Sequence, residues 1–173
     1  MPRGSSDRGI FAAQDALSNL RIKSEPIDPM TIANKLGIEV ELAILEDDLS
    51  GMAFVEGNRR LIWVNKSHHE NRQRFTLAHE IGHHVMHHNL LKSGVHVDRS
   101  VLRRSSVSSS GTVAVEVEAN AFASELLMPE FAVHNALEES DKHFDLLDEE
   151  FVRSLASRFQ VSAAAMQYRL MRL

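Results

Sequence analysis

The feature that most constrains this chain is the pentapeptide His79-Glu80-Ile81-Gly82-His83, which is an H-E-x-x-H motif. On a helix, residues four positions apart lie one turn above each other on the same face, so the two imidazoles point to one place. This arrangement supplies two ligands of a tetrahedral zinc ion. Glu80 points beside the metal, where it can accept a proton from a water molecule. The alternative is a histidine-rich amphipathic helix, because the chain contains ten histidines.

The residues around the motif predict one continuous helix. Ser67 and Glu70 fit an S-x-x-E capping box at its start. Small and apolar residues recur through the segment at helical spacing, so the motif lies on or beside the buried face. Gly82 costs such a helix about 1 kcal/mol relative to Ala, but its missing side chain lets another backbone approach the two histidines.

Length and composition limit the classes of protein to consider. The 173 residues are one domain's worth, so we expect a single domain over 1–173. The chain has no cysteine, which excludes disulfides and a cysteine-ligated zinc. Its net charge of −5 gives no overall attraction for nucleic acid. No apolar run is long enough to span a bilayer, and no signal-like segment follows the start, which favours a cytoplasmic protein.

Residues 10–66 are predicted to form N-terminal helices and a small sheet, after nine polar residues that we expect to fray. One helix covers residues 10–22. The next begins with Asp28 as N-cap and Pro29 in the first turn, and ends before Gly37. Residues 38–42, 51–55 and 61–64 are strand-like, and Gly57-Asn58 indicates a hairpin turn. We therefore predict an antiparallel three-stranded sheet packed against the H-E-x-x-H helix, in an α+β fold.

Residues 67–129 are predicted to hold the metal-site helices, separated by a loop. Residues 92–113 are rich in serine and include Arg99, Arg103 and Arg104. The simplest interpretation is a flexible, solvated loop; the functional alternative is a flap beside the active-site cleft.

The segment 114–129 predicts a second site helix that ends at Pro129. Its apolar stripe has Glu116 at one edge, whereas Glu118 points well away from the stripe and is expected to be solvated. Because an unpaired buried carboxylate is costly, Glu116 is the predicted third zinc ligand. Asn120 lies one turn later on nearly the same side and is placed to orient a ligating histidine.

Two segments together resemble the ImmA/IrrE metallopeptidases. They are R-F-T-L-A-H-E-I-G-H-H at 74–84 and E-x-E-A-N-x-F-A-x-E-L-L-M-P at 116–129. The resemblance implies a gluzincin-like zinc site with His79 and His83 as ligands, Glu80 as catalytic base and a downstream glutamate completing the shell. Asn120 stands where an aspartate is common in gluzincins. Its amide can accept a hydrogen bond from imidazole but adds no negative charge.

The resemblance also implies the substrate. It is a helix-turn-helix transcriptional repressor, whose cleavage derepresses a stress, mobile-element or defence operon. An acidic run between 138 and 150 could meet the basic surface of such a substrate. The residues leave the second oxyanion donor open between Tyr168 and His84.

Residues 130–173 are predicted to form C-terminal helices that resemble a helix-turn-helix. Val161 would be the apolar plug of the turn and Ser162 the N-cap of the last helix. Arginines that could contact phosphate are Arg153, Arg158, Arg169 and Arg172. The last helix is poor in base-reading side chains, so direct nucleic-acid binding is not expected. The rival function is a zinc-stabilised regulatory protein that binds DNA or a repressor through these helices without proteolysis.

Overall fold

The fold is α+β. A computed structural model describes residues 4–23, 25–99, 110–140 and 148–173. The helices and strands in these residues are α1 Ser5–Asn19, α2 Pro29–Lys35, β1 Ile38–Ala43, β2 Leu49–Glu56, β3 Arg59–Asn65, α3 Glu70–Met86, α4 His88–Ser93, β4 His96–Arg99, α5 Ser110–Leu127, α6 Glu130–Glu139, α7 Glu149–Phe159 and α8 Ala163–Leu170. No helix among them is long and apolar enough to cross a membrane.

The sheet is mixed and has four strands in the order β1-β3-β2-β4, so the prediction of three antiparallel strands was wrong. β2 and β3 form the predicted hairpin, with Glu56 opposite Arg59 and Gly57 at φ +61°. β1, however, pairs with β3 in parallel. The alternation of apolar residues in a strand reports which face is buried, and it does not identify the neighbouring strand or its direction.

The fourth strand lies inside the segment that we predicted to be a flexible loop. β4 pairs antiparallel with β2, placing His96 opposite Ala53 and Val97 opposite Met52, with an irregularity between Leu49 and Gly51. The four residues of β4 are mostly polar, and their sequence alone does not predict a strand. They form one because they pair with β2. The rest of the predicted loop is divided. Residues 92–93 end α4 and α5 begins at Ser110. Residues 100–109 lie outside the described residues, so the flap alternative for 92–113 stays a prediction over that part.

Helix α2 begins and ends as the sequence predicts. The Asp28 carboxylate accepts hydrogen bonds from the backbone N–H groups of Met30 and Thr31, each at 3.1 Å. Pro29 occupies the first turn, and Gly37 takes φ +68° just past the end. These local signals place β1 directly after the helix.

Replacing Asp28 with Ala should lower the free energy of unfolding by about 1 kcal/mol, because two N–H groups lose their acceptor. Burial alone would raise the pKa of Asp28, but hydrogen bonds from Thr31 and Met30 lower it overall, below its ordinary 3.8. The pH-dependent part of this stabilisation is therefore complete above about pH 4 and is lost as pH falls through the folded-state pKa. Urea unfolding of the unmodified protein and of Asp28→Ala at pH 7 and pH 3 measures the difference in their free energies of unfolding. An equal difference at the two pH values would contradict this account.

Helix α3 lies between the sheet and α5, contacting β2 and β3 on one side and α5 on the other. It begins at Glu70 with His69 as N-cap, so the predicted capping box at Ser67 was wrong. Ser67 instead lies in a turn where its N–H donates to the Asn65 side chain. At Gly82 the close neighbour is the Phe122 ring of α5, and not the predicted backbone; a Cβ at this position would lie 3.1 Å from the ring.

The N-terminal helix is longer than predicted. It starts at Ser5 instead of Ile10 and packs along α5. Gly9 is in the contact, where a Cβ would lie 2.2 Å from the backbone oxygen of Glu118. A side chain at this position would force the two helices apart, so glycine allows α1 to lie directly on α5.

The C-terminal helices have the local features predicted for the turn. Val161 is buried, and the Ser162 hydroxyl accepts from the N–H of Ala165 at 3.1 Å. The arginines predicted as phosphate contacts are already engaged within the chain. Their partners are Glu149 for Arg153, Glu25 and Glu139 for Arg158, Glu125 for Arg169, and Tyr168 for Arg172. Arg169 is also buried, which argues against a phosphate-binding surface here.

Candidate metal centre

Two turns of α3 bring His79 and His83 together in the interior. Their Nε2 atoms are 3.0 Å apart, and the residues are 2% and 1% exposed. Helix α5 adds Glu116, with Oε2 3.4 Å from His79 Nε2 and Oε1 3.5 Å from His83 Nε2. The structure therefore brings the three predicted ligands to one point.

These three groups fit a tetrahedral divalent metal. Bonds of about 2.0–2.1 Å to nitrogen and oxygen place neighbouring ligand atoms roughly 3.3 Å apart. The three separations of 3.0, 3.4 and 3.5 Å scatter around that value. Two imidazoles and one carboxylate are also a ligand set that zinc uses in catalytic sites.

A third histidine, His96 of β4, joins the group and was not predicted. Its Nε2 donates to Glu116 Oε1 at 2.8 Å, and its Nδ1 donates to Glu80 Oε2 at 3.1 Å. Among the described residues, His79, His83, His96 and Glu116 each offer one ligand atom, and these atoms lie within 4.8 Å of one another. No signal in the sequence points to His96, because its position depends on β4 pairing with β2.

Glu80 is completely buried beside this group. Its Oε2 accepts from His96, whereas within the described part of the chain Oε1 has no hydrogen-bond partner. Burial raises the pKa of Glu80 above its ordinary range, although the hydrogen bond and charge of His96 act in the opposite direction. A carboxylate in this state holds a proton more readily than a solvated one.

Among the remaining groups, His83 and Glu116 have the protonation tendencies of metal ligands, whereas the pKa values of His79 and His96 are raised. Burial would lower the pKa of His79, but its hydrogen bond to Glu116 and the charges of Glu80 and Glu116 outweigh this effect. Burial lowers the pKa of His83, so its imidazole stays neutral and keeps a free lone pair. Burial would raise the pKa of Glu116, but hydrogen bonds from His79 and His96 outweigh it and keep the carboxylate ionised. Burial lowers the pKa of His96, but its bonds to Glu116 and Glu80 outweigh this effect and raise that pKa to about 10.

A cavity of about 590 Å³ opens beside His79. Asn120, predicted to orient a ligating histidine, lines the same cavity as His79; its role stays a prediction. The wall of the cavity combines α3, the β2–β4 edge and the start of α8. Its lining residues are Ser50, His69, Asn71, Arg72, Phe75, Thr76, His79, Asp98, Asn120, Val161, Ser162 and Ala165.

Glu118 is buried, so the expectation that it faces solvent was wrong. Its Oε1 accepts from Arg8 Nη1 at 2.8 Å, and its Oε2 accepts from His87 Nε2 at 2.8 Å. The physical reason is that α1 covers this face of α5. Helical periodicity alone could not show that a second helix packs there.

The two residues considered as oxyanion donors have other partners. His84 Nε2 bonds to the carbonyl oxygen of Leu61 on β3 at 2.9 Å. The Tyr168 hydroxyl accepts from Arg172 Nη1 at 2.6 Å, and the residue is half exposed. His96, in contrast, is hydrogen-bonded to Glu80.

The α+β fold and its histidine–glutamate cluster define a metallopeptidase-like domain. The chain belongs to the Peptidase_M78 family, described as the IrrE N-terminal-like domain, which matches residues 33–171. This finding agrees with the ImmA/IrrE resemblance and with a metal-dependent peptidase scaffold.

Among solved structures, the chain is similar to a Mycobacterium tuberculosis transcriptional regulator, with a TM-score of 0.62 and 19% sequence identity. The similarity covers 95% of this chain and 46% of the regulator, so this chain spans about half of that protein's length. At this identity the comparison shows a shared fold. No curated protein matches the sequence.

Proposed function

We propose that this chain is a zinc-dependent endopeptidase. The observation that carries the proposal is the buried Glu80 carboxylate beside His79, His83 and Glu116, which together have the spacing of a three-ligand metal site. A site that serves only stability has no use for a desolvated general base. Family membership supports the same assignment.

His79, His83 and Glu116 would hold the ion, and Asn120 would orient His79. Zinc supplies Lewis acidity here: it lowers the pKa of water towards about 7 and stabilises negative charge on a carbonyl oxygen. Glu80 removes a proton from the attacking water as the water oxygen bonds to the peptide carbonyl carbon. Glu80 then gives that proton to the amide nitrogen as the C–N bond breaks.

We assign His96 to the reaction as the group that fixes Glu80. Its N–H to Glu80 Oε2 leaves Oε1 as the atom available to take the proton. Its second N–H holds Glu116.

His96 also provides the one observation that favours the rival function. Four protein groups within ligand distance could close the metal shell, as in a structural site. The zinc-stabilised regulator and the peptidase therefore differ in the effect of His96→Ala. In the peptidase this change lowers cleavage, and it weakens zinc binding by at most the about 10–100-fold typical of an outer partner, because His96 holds the ligand Glu116. In the regulator it weakens zinc binding as strongly as loss of Glu116 does.

We propose a helix-turn-helix transcriptional repressor as the substrate, with cleavage relieving repression of a stress, mobile-element or defence operon. The net charge of −5 and the exposed residues Glu138 and Glu150 would attract a basic DNA-binding partner, whereas the neighbouring Glu139 and Glu149 are paired with Arg158 and Arg153. Residues 141–147 of the acidic run lie outside the described residues. The fold shared with a transcriptional regulator is consistent with a regulatory role.

The substrate proposal predicts that a helix-turn-helix repressor is encoded beside this protein's gene and receives one discrete cut, with slow or absent cleavage of casein. The cut should slow as salt is raised, because salt screens the attraction between the partners. Intact-mass spectrometry of both substrates over a time course provides the measurement. Efficient casein digestion beside an intact repressor would overturn the regulatory role and leave the zinc chemistry standing.

A further inference from the structure

A row of polar side chains runs from buried His83 to exposed Arg8, on the edge of the His83 ring away from the metal cluster. His83 Nδ1 lies 3.1 Å from His87 Nδ1. His87 Nε2 lies 2.8 Å from Glu118 Oε2, and Glu118 Oε1 accepts from Arg8 at 2.8 Å. The row connects α3, α5 and α1, and none of its three outer members belongs to the catalytic group described above.

The positions of the protons in this row follow from the chemistry of each contact. If His83 presents the Nε2 lone pair to a metal, its ring proton sits on Nδ1. That N–H can donate to His87 Nδ1 only if this nitrogen is unprotonated. The proton of the His87 ring is therefore on Nε2. This N–H in turn donates to Glu118 Oε2, and Arg8 supplies a charged donor to the other oxygen. Each contact therefore has one donor and one acceptor. From His83 through His87 to Glu118, every hydrogen bond is donated in the same direction.

Burial of Glu118 and His87 makes the hydrogen bonds of the row necessary for stability. Glu118 is 3% exposed and His87 is 8% exposed, so an ionised Glu118 requires both of its partners. Arg8 reaches it because α1 lies directly on α5 at Gly9, next in sequence. Arg8 also lies outside the residues that match the family, which begin at 33.

We propose that His87 and Glu118 are positioning residues of the metal centre, held in place by Arg8 of α1. They fix the tautomer and ring orientation of His83 and increase the electron density at its Nε2. Partners of this kind behind a ligating histidine typically change metal affinity by about 10–100-fold. The inference rests on the proposed metal site and adds that docking of the N-terminal helix contributes to metal affinity.

The test compares Glu118→Gln with Glu125→Gln. Glu125 lies two turns later on α5, is also buried, and is also paired with an arginine, Arg169. It likewise contacts α1, through Gln14 at 3.1 Å. Both changes remove one buried charge from the same helix, so both should destabilise the fold. Only Glu118 is connected to a metal ligand.

Zinc affinity is measured by competition with a chromogenic chelator, on proteins whose folding is checked by circular dichroism. We expect zinc binding about 10–100-fold weaker for Glu118→Gln, and unchanged to within about twofold for Glu125→Gln. Equal affinities for Glu118→Gln and the unmodified protein would overturn the inference, and so would an equal loss in Glu125→Gln.

Arg8→Gln provides a second variant if Glu118→Gln does not fold, because the Arg8 side chain is 65% exposed. It should weaken zinc binding by roughly threefold or more, and unchanged affinity would overturn the role of the row. An unmodified protein that binds no zinc would overturn the metal site and this inference together. One that binds zinc with affinity insensitive to Glu118 and Arg8 would overturn the inference alone.

Discussion

Replacing Glu80 with Gln should slow peptide cleavage by about 10²–10⁴-fold, the usual contribution of a general base, while zinc content stays at the level of the unmodified protein. The amide keeps the shape of the side chain and can still contact His96, but it cannot accept a proton at neutral pH. The carboxylate is buried beside the ligands and has one oxygen without a partner in the described residues. Its replacement therefore removes the general base and leaves all three proposed zinc ligands in place.

Glu70→Gln is the matched control for this experiment. Glu70 lies at the exposed start of the same helix, and its replacement should leave both cleavage and zinc content unchanged. Cleavage is followed by mass spectrometry of the substrate, and zinc by inductively coupled plasma measurements on the same preparation. Unaltered cleavage by folded, zinc-loaded Glu80→Gln would exclude Glu80 as the base. Absence of cleavage by the folded, zinc-loaded unmodified protein would favour the non-proteolytic regulator.

Replacing Glu116 with Ala should weaken zinc binding by more than about 100-fold, beyond the range typical of an outer partner such as Glu118. Glu116 is the proposed anionic ligand, and its oxygens lie 3.4 and 3.5 Å from the nitrogens of His79 and His83. Its removal leaves two neutral imidazoles and frees His96 from one of its two hydrogen bonds.

The informative comparison is the order of the losses: Glu116→Ala largest, Glu118→Gln intermediate and Glu125→Gln negligible, all measured by the same chelator competition. A solvated Glu118, as the sequence predicts it, would leave zinc affinity unchanged, and the buried contact with His87 revises that expectation. Zinc affinity retained in Glu116→Ala would contradict the proposed ligand set. It would indicate that His96, together with His79 and His83, forms a three-histidine site instead.

The parts of the site that the sequence predicts are those set by local geometry. Helical spacing alone places His79 one turn from His83, and the apolar stripe of α5 places Glu116 at its edge. The structure brings these side chains together, and Asn120 lies in the adjoining cavity wall. The start and end of α2 follow equally from Asp28 and Gly37, because a cap acts within a few residues of itself.

The parts that the sequence did not predict depend on which elements become neighbours. His96 reaches Glu80 only because a short polar strand adds to the edge of β2. Glu118 becomes buried only because α1 covers the face of α5 that points away from the apolar stripe. The parallel pairing of β1 with β3 has the same origin. In each case the residue pattern of one element carries no information about its partner.

The central claim, a zinc-dependent peptidase, is tested most directly by removing and restoring the metal during cleavage. Purified protein is treated with a chelator, dialysed, and incubated with the neighbouring repressor before and after addition of one equivalent of zinc per chain. We predict no cleavage by the stripped protein and recovery of the same discrete cut on zinc addition, with no recovery in Glu80→Gln. An intact repressor beside protein shown to hold one zinc, or a cut that continues after complete removal of metal, would contradict the account.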